Sequence, residues 1–153
     1  MQRRLDTLSL AAAAFVAANL LHTLDHLRQG TGGLAAEVLA GGTVLSILAV
    51  LTLVLALRHH PRAPLWAAVV GTWSALGVVA SHMAPHWSAF SDSYFEIHAD
   101  ALSWVVMLAE VVAAAYLGLV GFRELRRPAG DSRRRPDGPH RGGQSRGGAD
   151  VRL

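Results

Sequence analysis

Five histidines fall in three separate stretches, two of which also hold acids: His22-Thr23-Leu24-Asp25-His26, His82-Met83-Ala84-Pro85-His86 and Glu96-Ile97-His98-Ala99-Asp100. Neutral imidazole is the commonest metal ligand a protein offers. Two histidines four apart on a helix share a face and can hold one ion, and a ligand from another helix completes a common set. A carboxylate beside a ligating histidine fixes its tautomer and raises its basicity. The expected metal site is therefore His22, His26, His82, His86 and His98, with Asp25 and Asp100 as further ligands or as carboxylates bonded to the ligands.

Cysteine is absent, which excludes disulfides, thiolate metal sites and cysteine nucleophiles. A donor set of nitrogen and oxygen suits Zn, Cu(II), Fe or Ni rather than soft copper(I). Two alternatives use the same imidazoles. One histidine from each of two facing helices would ligate haem b axially in an electron-transfer protein. Histidines near Asp92, Glu96 and Asp100 would also titrate near pH ~6.5 and sense external pH or relay protons. A third alternative needs no cofactor: the histidines are interfacial groups of an accessory or scaffold protein. No phosphate-binding Gly-rich loop, nucleophile elbow or dinucleotide fingerprint is present.

These residues must be positioned by long apolar elements. Hydrophobic residues make up 52% of the 153 residues and charged residues 16%. A bilayer span needs about 20 mostly apolar residues. Four stretches qualify, at about 5–27, 34–57, 63–83 and 99–122. Inside lipid each segment must satisfy its own backbone hydrogen bonds, so the spans are helices. The fold class is all-α: a four-helix transmembrane bundle over residues 1–127, with an Arg/Gly-rich tail over 128–153 that is too polar to bury and is expected to be disordered. Gln29-Gly30-Thr31-Gly32-Gly33 marks a turn between the first two spans. Pro61 and Pro64 bracket the next connection, and Pro85 stops the third span because it has no N–H to donate. A cleaved signal peptide is the competing reading of the N-terminus, with Met1-Gln2-Arg3-Arg4 as basic region and Val16-Ala17-Ala18 as cleavage site. The apolar run through Asn19-Leu20-Leu21 and the acid at Asp6 favour a span.

Orientation follows from the arginines; the chain has no lysine. Arg3, Arg4, Arg58, Arg62, Arg123, Arg126 and Arg127 all fall on one side of a four-span protein, against Arg28 alone on the other. By the positive-inside rule both termini are cytoplasmic, and the five histidines named above gather at the outer end. Nine arginines against four acids from Arg123 onward give +5, whereas residues 1–122 carry −2. The tail is thus the basic part, suited to anionic lipid headgroups. Two Arg-Gly-Gly pieces are too few to indicate nucleic-acid binding. Glu110 lies about ten residues into the fourth span. A charged acid there is costly, so it is expected to face the bundle interior, neutral or paired, with Ser103, Asn19, Ser46 or Thr72 as partner. Small residues on the third span, beginning with Gly71 and Ala75, permit close helix approach. Four helices are few for a transporter, and a homodimer would supply more.

The stretches Leu20-Leu21-His22-Thr23-Leu24-Asp25-His26 and Ser81-His82-Met83-Ala84-Pro85-His86-Trp87-Ser88-Ala89-Phe90-Ser91-Asp92 resemble uncharacterised small four-span integral membrane proteins of actinobacteria. The resemblance covers roughly residues 3–127 and implies a bacterial plasma-membrane location. It brings no activity with it. The spaced histidines are also loosely similar to those of membrane di-iron hydroxylases and desaturases. Those carry more histidines, on the cytoplasmic side and in His-His pairs, so that activity is not carried over.

Overall fold

The computed structural model describes residues 6–30 and 36–127. The tail expected over 128–153 lies outside the described residues, as do Arg3 and Arg4. Among the described residues there are four helices: α1 (Thr7–Gln29), α2 (Ala36–Leu57), α3 (Ala63–His82) and α4 (Ala101–Leu125). All four are long and apolar enough to cross a membrane, and they fit a multi-pass membrane protein. Two of their ends, Leu57 and Ala63, coincide with the expected spans, and the others differ by one to three residues.

Those ends have local causes. The same Asp-x-x-Ser pattern opens α1 and α4. The Ser9 N–H donates to Asp6 Oδ1 at 2.8 Å, and the Ser103 N–H donates to Asp100 Oδ1 at 2.9 Å. Each carboxylate satisfies one of the N–H groups that a helix start leaves without a partner. Gly30 ends α1 with φ of 91°, a conformation that suits a residue without Cβ. Pro64 sits in the first turn of α3, where its missing N–H costs nothing. At the other end α3 stops at His82, three residues before Pro85.

Helices α3 and α4 pack most closely, through backbone rather than side chains. A Cβ on Gly71 would stand 2.4 Å from the Gly118 nitrogen, and one on Gly121 would stand 2.4 Å from the Ala68 nitrogen. Only glycine permits this approach, as small-residue packing of membrane helices requires. Helix α1 joins α4 through a core that includes Leu8, Ala11, Phe15, Ala114 and Leu117. Helix α2 is peripheral. Its buried residues are Ala49, Thr52 and Ala56, all in its second half. Large apolar side chains such as Ile47, Trp73 and Val112 point away from the bundle. In water such a surface would be a liability; in a bilayer it is the lipid contact.

The segment from Met83 to Asp100 folds back over the end of α3. The Asp92 N–H donates to the Ser81 carbonyl and the Tyr94 N–H to the His82 carbonyl, each at 2.9 Å. These bonds occupy carbonyls that the end of α3 leaves free. They also carry Asp92 and Tyr94 inward, and Tyr94 is buried against Val78 and Met107.

Candidate metal centre

His22 and His26 lie one turn apart on α1 with ring centroids 4.7 Å apart. The bundle sets the last residue of α3 beside them. His82 stands 4.9 Å from His22 and 5.3 Å from His26 between ring centroids. One nitrogen from each of the three rings can be chosen so that all lie within 4.8 Å of one another. His22 and His82 are buried and His26 is partly so.

Hydrogen bonds fix two of the rings. His22 Nδ1 pairs with Glu110 Oε2 on α4, and its Nε2 lies 3.0 Å from the Tyr94 hydroxyl. Burial raises the Tyr94 phenol above its ordinary value, so the hydroxyl keeps its proton and can donate it to Nε2. In that arrangement the ring proton of His22 is on Nδ1 and is donated to the Glu110 carboxylate. His82 Nδ1 donates to the Asp92 carbonyl at 3.0 Å, which leaves its Nε2 with a lone pair. Both rings are thus anchored through Nδ1, as is usual around metal ligands; His82 Nε2 is free, whereas His22 Nε2 can ligate an ion only when the Tyr94 hydroxyl turns aside.

Glu110 is fully buried. It accepts from Asn19 Nδ2 at 2.9 Å as well as from His22. Ser46 Oγ on α2 donates in turn to Asn19 Oδ1 at 2.8 Å. Of the partners expected for the acid, Asn19 bonds it directly and Ser46 through Asn19. Its pairing with His22 arises only when α1 meets α4. Ser103 turns outward to Asp100, Arg28 and Gln29.

Comparison of the chain with protein-family models, curated proteins and solved structures finds no match. The centre therefore stands on its own geometry.

One atom of the centre lacks a partner. Asp92 Oδ2 is buried and accepts no hydrogen bond among the described residues. It lies 3.8 Å from His82 Nδ1 and 3.9 Å from His26 Nδ1. An unpaired buried acceptor is costly, and a cation among the three imidazoles would offset it.

The remaining candidates lie elsewhere. Asp25 accepts from Arg28 Nε and Gln29 Nε2, each at 2.7 Å. Arg28 also reaches Asp100 Oδ2 at 2.9 Å. Asp25 and Asp100 thereby belong to an ion-pair network that ties the end of α1 to the start of α4. His86 is exposed, and its backbone N–H donates to Glu96. His98 is exposed and has φ of 52°, a left-handed position that closes the turn before α4. Tyr94 carries no periodic signal in the sequence, because it sits in a loop. Its role depends on the backbone bonds that pin that loop to α3.

Proposed function

We propose that this chain is a bacterial plasma-membrane protein, with both termini cytoplasmic, that binds one transition-metal ion at His22, His26 and His82 on its outer face. The observation that carries this reading is the meeting of three imidazoles from two helices, two of them anchored through Nδ1. Three nitrogen ligands with a fourth position open suit zinc, and the donor set also admits Cu(II), Fe or Ni. The Tyr94 hydroxyl, beside His22 Nε2, or a water would fill the open position. Asp92 supplies negative charge next to the ion. The mutual contact of the rings supports a bare ion over haem, whose axial ligands would need a porphyrin plane between them. Arg58 and Arg62 at the opposite end of the bundle support the orientation.

Elemental analysis of detergent-purified protein tests the reading. The expected result is one equivalent of a transition metal, lost when His22→Ala and His82→Ala are combined. Protein that stays metal-free after incubation with Zn, Cu, Fe and Ni salts and passage through a desalting column would refute it. A cofactor-free scaffold would then be the better description.

A further inference from the structure

One of the three rings of the centre is closed to an ion. His22 has both nitrogens in use: Nδ1 pairs with Glu110, and Nε2 meets the Tyr94 hydroxyl at 3.0 Å. The direction of the second bond does not matter. If the phenol donates, the Nε2 lone pair is taken. If Nε2 donates, it carries a proton and has no lone pair to offer. An ion bonds a histidine nitrogen at about 2.0–2.1 Å through that lone pair, so His22 joins the ion only once the hydroxyl has left. Access is not the obstacle. The three rings line a cavity of ≈ 650 Å³ between α1, α2 and α3, where Gly41 and Gly42 place no side chains.

The hydroxyl cannot leave by itself. Tyr94 is 1% exposed and does not border the cavity. Its ring centroid lies 4.5 Å from that of His82 and 5.5 Å, edge-on, from that of Trp104, with Val78 and Met107 also against it. Close-packed side chains of this kind transmit a displacement instead of absorbing it. The Tyr94 backbone is held too: its N–H donates to the His82 carbonyl at 2.9 Å, and its carbonyl accepts from the Ala99 N–H at 3.1 Å. Turning the hydroxyl aside therefore shifts the segment from Met83 to Asp100 that carries it.

We infer that Tyr94 is a gate on the metal centre: its hydroxyl and the ion compete for His22 Nε2, and binding of the ion moves the outer segment. The inference rests on the metal reading and leaves the fourth position on the ion to a water. Coupling of this kind is reciprocal, so whatever draws the segment away from His22 tightens the ion by the same factor.

The test compares the full chain with Tyr94→Phe in detergent, by Zn²⁺ competition against a chromogenic chelator. The variant keeps the ring and removes the competitor, so Zn²⁺ should bind about two- to tenfold more tightly, the worth of one ordinary hydrogen bond. Equal or weaker binding overturns the inference. A second readout needs no change at Tyr94. The chain has two tyrosines, and the other, Tyr116, is exposed on α4. With ¹³Cζ-labelled tyrosine, assigned through Tyr116→Phe, saturating Zn²⁺ should move the Tyr94 resonance within the phenol range and leave that of Tyr116 in place. A Tyr94 signal that stays put shows that the contact survives the ion, and one that moves to the phenolate position makes Tyr94 a ligand; either result overturns the gate. The two readings fail differently. If neither protein takes up Zn²⁺, the metal reading falls and the gate with it, whereas Zn²⁺-loaded protein with an unmoved Tyr94 removes the gate alone.

Discussion

Glu110→Gln separates a carboxylate that orients a ligand from one that merely fills space. In the native protein Glu110 accepts from Asn19 Nδ2 and His22 Nδ1, whereas an amide accepts through one end and donates through the other. If the new NH₂ faces His22, that ring must shift its proton to Nε2, and the lone pair needed for an ion is gone. If it faces Asn19, the Asn19 amide must turn over and surrender its bond from Ser46. Partners that orient metal ligands are worth about 10–100-fold in metal affinity, or about 1.4–2.7 kcal/mol. Glu110→Leu strands both donors in the core at about 1–3 kcal/mol each, giving a stability loss of about 2–6 kcal/mol. The assay is Zn²⁺ competition against a chromogenic chelator, paired with thermal unfolding in detergent. Glu110→Gln is expected to lose affinity while keeping most of its stability, and Glu110→Leu to lose both. A Glu110→Gln protein that binds Zn²⁺ within about twofold of wild type would show that the carboxylate does not hold His22, and the argument for a preset tautomer would fail.

Further outcomes follow from the same contacts. His82→Ala should abolish metal retention, whereas His86→Ala and His98→Gly should leave it unchanged; elemental analysis of the three variants decides. Gly121→Val drives a Cβ onto the Ala68 and Pro64 backbone and should cost about 3 kcal/mol or more, read as a fall in unfolding temperature. Gly42→Ala meets open space and should be neutral or slightly stabilising in the same scan. Hydrogen bonds from Ser103, first its backbone N–H and then its hydroxyl, with Arg28 beside it, lower the Asp100 carboxyl below the ordinary 3.8. Its contribution is therefore present above that value and lost as pH falls through the lowered one. Unfolding between pH 5 and pH 2 should show this acid loss in the wild type, and Asp100→Asn should show a smaller one.

How much was legible in the sequence divides along the range of the interactions. Four helices, and their boundaries to within three residues, follow from local rules: uninterrupted hydrophobic runs, Gly30 and Pro85. Those rules act within a few residues, so the chain alone states them. The alignment of His22 with His26 is equally local, being one helical turn. The grouping of His22 and His26 with His82 was partly legible, since two crossings, α2 and then α3, separate the end of α1 from the end of α3 and bring both to one side. Which of five histidines share a pocket was not legible. His86 follows a proline in the same motif as His82, and only the path of the chain after α3 turns it outward. The Glu110–His22 pair, the burial of Tyr94 and the cavity beside α2 likewise depend on helix rotation and separation. Those are set by backbone contact at Gly71, Gly118 and Gly121 and by the absence of side chains at Gly41 and Gly42. Sequence thus determined what spans the bilayer and which chemistry is available, because hydrophobicity and capping are local. Tertiary structure decided which groups meet, because distances between helices are fixed by packing across stretches far apart in the chain.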